Sequence, residues 1–235
     1  MEVRQTADAL TRALGLETVP IALARADGPP KGVAVFQGTV PSACALWRRA
    51  ERGVFYASAE RHFNCPVGAM VMGFELTPAL NQQLMDLVGF MVGEGYLGKD
   101  EAARIPTLPA RNAGAVYGPL QDFPIEPEFV LMWLGPRQAM LAAEATGSCR
   151  WTLAEPPGVL GRPACAALPV SQALGGLALS LGCTGMRTFT EVADDRVLAV
   201  VPARGLAAFQ RTLDTTVKAN RSMQAFYEKR KAELS

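Results

Sequence analysis

Apolar residues along the chain fall into two spacings, and together they predict an α/β fold. Short apolar runs bounded by Gly, Pro or Asp mark strands over 19–24, 33–36 and 54–59. The same signature returns over 129–134, 177–181 and 197–201. Three- and four-residue spacing marks helices instead. Leu10 and Leu14 place a short helix over 2–14, and Pro41-Ser42 opens one that runs through Arg52 and ends at Gly53. Thr77-Pro78 supplies an N-cap and a first-turn proline for a helix carrying Leu80, Leu84, Leu87, Val88 and Met91. Helices follow over 136–146 and 164–174. The last runs from Ala203 to about Glu233, with Leu206, Phe209, Leu213 and Val217 in step and Met223 and Phe226 after a slip. Its first half is expected to pack on the domain and its Lys229-Arg230-Lys231 end to be solvated. This long C-terminal helix is also the element through which an oligomer could form.

Residues 93–122 are rich in Gly and Pro and read as a connection. The chain then divides into a first half (1–98), a connection (99–122) and a second half with the C-terminal helix (123–235). Gly93-x-Gly95-x-x-Gly98 has the dinucleotide-binding spacing, but that fingerprint needs a strand before the glycines and a helix after them. A helix precedes them here, so they read as its end. The halves echo each other. Ser42-Ala43-Cys44-Ala45-Leu46 resembles Pro163-Ala164-Cys165-Ala166-Ala167-Leu168. Cys65-Pro66-Val67-Gly68 follows Cys44 by 21 residues, and Cys183-Thr184-Gly185-Met186 follows Cys165 by 18. The expected architecture is therefore two similar halves, an internal duplication, packed as one unit.

Composition narrows the classes. Hydrophobic residues make up 49% and charged residues 19%, a globular balance. With 23 basic and 22 acidic side chains and no long run of either, nucleic acid and acidic membrane surfaces are not expected partners. Glu2, Arg4, Asp8 and Arg12 interrupt the N-terminus, so no signal-peptide core is read there. Residues 163–186 carry no charge, but Pro169, Gly175, Gly176 and Gly182 break them, which suits a buried helix-turn-strand better than a membrane span. Five cysteines without a secretion signal point to a reducing, cytoplasmic compartment.

The run Ser180-Leu181-Gly182-Cys183-Thr184-Gly185-Met186-Arg187, with Asp194-Asp195 and Val200-Val201-Pro202 after it, resembles the prokaryotic domain-of-unknown-function family 169, labelled uncharacterised ArCR. Cys65-Pro66-x-Gly68 and Val19-Pro20 fit the same pattern, so the resemblance spans nearly the whole chain. It implies no settled activity, and the chemistry has to come from the residues.

Cysteine ligates or attacks only as thiolate. Cys65 directly precedes Pro66, a favoured first helical residue, so it should cap a helix and gain from the dipole. Cys183 leaves a strand in a similar setting, with Arg187 as further positive charge. Cys44 and Cys165, flanked by alanines, taken singly look like small buried hydrophobes. Their matched positions suggest convergence, and four thiolates at one point suit an iron–sulfur cluster or, alternatively, tetrahedral zinc. No C-x-x-C knuckle supports either locally. Cys149 has no counterpart and is set aside.

His62 is the only histidine; it either hydrogen-bonds near a bound group or lies at an edge beside Arg61. Arg48, Arg49 and Arg52 read as a solvated helix face or as an anion contact. Asp194-Asp195 read as a hairpin turn before Val197. Two other readings stay open. One is a small-organic-ligand binding module with structural cysteines, contacted by Gly68, Gly185 and Arg187. The other is a thiol enzyme using Cys65 or Cys183. The partner in either case is a small molecule or a redox protein.

Overall fold

In a computed structural model, which describes residues 3–110, 113–146 and 159–234, most apolar runs do become strands, and they are covered on both faces. Helix α1 (Val3–Leu14) buries Ala7, Leu10 and Leu14 and leaves Arg4, Asp8 and Arg12 outward. It leads to β1 (Ile21–Ala26), α2 (Ala45–Ala50), β2 (Phe55–Ser58) and a 3-10 turn (Ala59–His62). Then come α3 (Pro66–Val71), α4 (Pro78–Gly93), α5 (Lys99–Ala102), β3 (Gly114–Pro119) and a second 3-10 turn (Leu120–Asp122). The later part holds β4 (Phe129–Leu134), α6 (Pro136–Ala145), β5 (Val159–Leu160), a 3-10 turn (Ala164–Ala166) and α7 (Ala167–Leu174). It ends with β6 (Ala178–Ser180), α8 (Thr184–Thr190), β7 (Val197–Pro202) and α9 (Ala203–Leu234).

Among the described residues seven strands form one sheet in the order β2-β3-β1-β4-β7-β6-β5, antiparallel except for β5 with β6. Alternate residues point to opposite faces. Ile21, Leu23, Tyr117, Leu131, Trp133, Leu198 and Val200 join one core, with α2, α3 and α7. Ala22, Ala24, Val116, Val130, Met132, Ala199 and Val201 join the other, with α1, α6 and α9. Burial on both sides is why these strands read as unbroken apolar runs. Thr77 caps α4 as its sequence indicates, its hydroxyl accepting from the Leu80 amide at 3.2 Å. In α9 burial ends at Val217, so Met223 and Phe226 stand in solvent.

Four readings change. Residues 33–36 make only a bridge, Val35 with Tyr56, rather than a strand. The helix expected from Pro41 starts at Ala45, after a turn. Asp194-Asp195 form a turn, but it joins α8 to β7 and is no hairpin. Most consequential, the Gly- and Pro-rich 99–122 segment contains β3, an interior strand buried throughout and paired with β1 and β2. Its glycines serve close packing. A Cβ at Gly114 would lie 2.4 Å from the Ala57 carbonyl oxygen and 2.6 Å from the Tyr56 hydroxyl. Gly114→Ala is therefore expected to cost about 2 kcal/mol by overpacking, read as a lower urea midpoint at unchanged slope. An unchanged midpoint would contradict this packing.

Buried Arg25 anchors the approach to β3, donating to both Glu128 carboxylate oxygens (3.0 and 3.2 Å) and to the Pro109 carbonyl. Residues 163–186 form a turn, α7, β6 and the start of α8, and among the described residues no helix is long and apolar enough to cross a membrane.

Candidate functional site

Four local turns deliver four cysteines to the core side of α2, α3 and α7. Cys44 is the N-cap of α2 and Cys65 that of α3, with Pro66 in the first helical position. Cys165 is the middle residue of the turn Ala164–Ala166. Cys183 is the N-cap of α8, its sulfur accepting from the Met186 amide at 3.3 Å. Helix α2 packs against α8, and α3 against the turn holding Cys165. Segments far apart in sequence are thus neighbours here.

Electrostatics ties the sulfurs together. Burial pushes the Cys44 thiol up to about 12; the Ser42 hydroxyl, 3.2 Å from the sulfur, opposes it, while charge on Cys65 and Cys183 adds to it. Cys165 is raised well above the ordinary range, by burial first and then by charge on Cys65, Cys44 and Cys183. Cys65 is raised by burial, against the backbone of Gly68 and Ala43, and further by Cys183. Each of the three responds to charge on other members of the set, which requires a shared neighbourhood. The expected depression of the Cys65 pKa is reversed. A six-residue helix whose first residue is proline offers little dipole, and desolvation outweighs it. Cys44 and Cys165 are buried, as small hydrophobes would be, yet they border the same spot. Among the described residues no three His, Cys, Asp or Glu side chains form a set placed for a single metal ion. Cys149 lies outside the described residues.

His62 is not at an edge. It is fully buried, with Nδ1 donating to the Ser58 carbonyl at 2.9 Å and Nε2 accepting from the Tyr117 hydroxyl at 2.7 Å. The carbonyl fixes the tautomer, since only a protonated Nδ1 can donate to it. Burial pushes the imidazole down to about 4, so it is neutral at pH 7. Tyr117 stacks on Phe55 at 5.5 Å between ring centroids, and its pKa is raised by burial and then by charge at Cys44 and Cys165. Its proton is committed to His62. Sequence reasoning missed Tyr117; nothing local marks it, because its partner is 55 residues away.

The remaining named residues divide. Gly68 belongs to the site's packing: a Cβ there would sit 2.9 Å from the Ala43 Cβ and 3.1 Å from the Cys65 sulfur. Gly185 has space around it, Phe189 at 3.9 Å being the nearest contact of an added Cβ. Arg187 is spent on the backbone, donating to Leu181 at 2.6 Å, Arg196 at 3.1 Å and Ala193 at 3.4 Å. Beside Cys183, the Tyr96 hydroxyl lies 3.4 Å from the Thr184 hydroxyl and amide, and the Arg162 guanidinium lies 4.5 Å over the Tyr96 ring. These three residues form a rim that the sequence did not reveal.

Compared with known families, residues 9–209 match the family described as uncharacterised ArCR, DUF169. No protein of curated function and no solved structure matches the chain.

Proposed function

We propose, for a chain that belongs to the uncharacterised ArCR family (domain of unknown function 169), that Cys44, Cys65, Cys165 and Cys183 hold an iron–sulfur cluster. The observation that carries this reading is that helix N-caps and a turn from both parts of the sheet set these cysteines near one another, so that Cys44, Cys65 and Cys165 each feel charge on others of the four. A buried thiol with a strongly raised pKa stays protonated unless a cation replaces its proton, and iron supplies that charge. Zinc is the alternative: it needs four sulfurs within roughly 4 Å of each other, whereas a cluster spreads them to roughly 6–7 Å.

The same reading takes the two halves as an internal duplication. β1 has β3 beside it and β2 beyond; β4 has β7 beside it and β6 beyond. One cysteine precedes each outer strand (Cys44, Cys165), and one caps the helix after it (Cys65, Cys183). A twofold axis between antiparallel β1 and β4 relates them. The protein then serves cytoplasmic redox or accessory metabolism, with a redox protein or small molecule meeting the half-exposed Cys65 and Cys183. One further observation favours a different chemistry. The Met186 amide on the Cys183 sulfur would suit a thiol nucleophile. The organic-ligand reading has less support, because Arg187 has its donors engaged.

Anaerobic purification decides. The expected product is brown, absorbs broadly near about 400 nm and contains iron and sulfide, and Cys165→Ser or Cys183→Ser removes the colour. A folded, colourless, metal-free protein would sink the cluster, and rapid alkylation confined to Cys183 would then point to the nucleophile. Stoichiometric zinc in place of iron would replace the cluster by a single ion.

A further inference from the structure

On the face of the sheet opposite the thiols, a cleft of about 460 Å³ opens between the end of α1, the start of α6 and the middle of α9. Arg12, Arg137, Arg196 and Arg221 line it, and Glu17 is the one acidic residue among the lining groups. Four guanidiniums against one carboxylate leave a local excess of three positive charges, on a chain whose net charge is only +1. Two arginines are occupied. Arg196 pairs with Glu17 at 2.5 Å and approaches Asp195 at 3.9 Å, and Arg137 donates to Gln224 at 2.8 Å. Arg12 and Arg221 have no ion-pair or hydrogen-bond partner among the described residues.

We propose that this cleft binds a phosphate-bearing organic molecule of nucleotide size. Its volume lies within the range of small-molecule sites. Guanidinium forks match phosphate oxygens two at a time, and two of the forks here are free. The ten-residue helix α6 presents its positive end to the same space. Leu141 and Val217 give the floor an apolar surface that a bare inorganic ion would not use. An adjoining cleft shares Arg12 and Arg221 and reaches Gln210, whose buried amide oxygen has no hydrogen-bond partner among the described residues. A ligand hydroxyl or amino group would satisfy it.

The test uses inorganic tripolyphosphate and adenosine triphosphate as probes in calorimetric titrations of the full chain. Both should give saturable binding, tighter for the nucleotide. Arg12→Gln and Arg221→Gln should each weaken it roughly tenfold or more, the scale of one lost charged hydrogen bond. Both arginines are exposed, so the variants should keep the wild-type circular dichroism spectrum. Arg104→Gln removes the same charge elsewhere, at an exposed residue outside the cleft, and should leave binding unchanged. Absence of saturable binding, wild-type affinity in the cleft variants, or an equal loss in the control variant would each overturn the proposal. Binding of tripolyphosphate as tight as the nucleotide would overturn the organic part of it.

Discussion

Folding stability falls by about 3 kcal/mol as the pH drops from 7 to 4, through one residue. The folded state holds His62 neutral, its pKa pushed down to about 4 from an ordinary value of 6.5 by complete burial. The unfolded chain takes up a proton below about 6.5 while the folded chain does not, so protonation favours unfolding as the pH falls, and the loss levels off below the folded value. Above pH 7 the contribution is fully present. About 2 kcal/mol of the loss should have accrued by pH 5, before most carboxylates titrate. The chain has a single histidine, so no other imidazole confuses the window. Urea midpoints measured from pH 7.5 to 4.5 give the curve. His62→Gln, whose amide can still bridge the Ser58 carbonyl and the Tyr117 hydroxyl, should be flat from pH 7 to 5. A decline in that variant matching wild type would remove His62 from the explanation.

Replacing Tyr117 has the largest effect on the fold itself. The ring is fully buried against Phe55, and its hydroxyl is the donor to His62. Tyr117→Ala opens a cavity in the core and strands the imidazole nitrogen, a loss of about 4–5 kcal/mol. Tyr117→Phe keeps the ring and removes only the hydrogen bond, for about 1–2 kcal/mol. The ordering is the check: chemical denaturation showing the phenylalanine variant as damaged as the alanine variant would mean the ring packing contributes nothing.

What the sequence made legible was whatever local physics dictates. Thr77-Pro78 caps a helix wherever it stands, and Phe129–Leu134 is apolar enough to be an interior strand on either periodicity. The cysteine pairs stood out because their spacing nearly repeats. β3 was lost because Gly114, Gly118 and Pro119 carry turn-like propensities, while the forces that make a strand of them are Ala57, Tyr56 and Val54 pressing from neighbouring segments. The same holds for His62. Its residue type was visible, but its burial and its tyrosine partner are properties of the assembled sheet. Cys65 does cap its helix, as Pro66 after it indicates, but desolvation in the assembled core raises its thiol where the dipole alone would lower it.

The strand order has a kinetic consequence. β1 precedes the other strands of the sheet in the chain, yet Ile21 pairs with Pro119 on one side and Leu131 on the other, each about a hundred residues further along. It has no neighbour until β3, and then β4, have been synthesised. β6 and β7, by contrast, pair across a short connection (Ala178 with Val200), and β4 joins them at Met132 with Ala199. Long loops close slowly because the entropy of closure precedes the contacts that reward it. β6 and β7 can therefore find each other soon after β7 is made, while β1 has both edges unpaired until β3 follows it. During synthesis the earliest strand of the sheet is thus the one that stays longest without a neighbour.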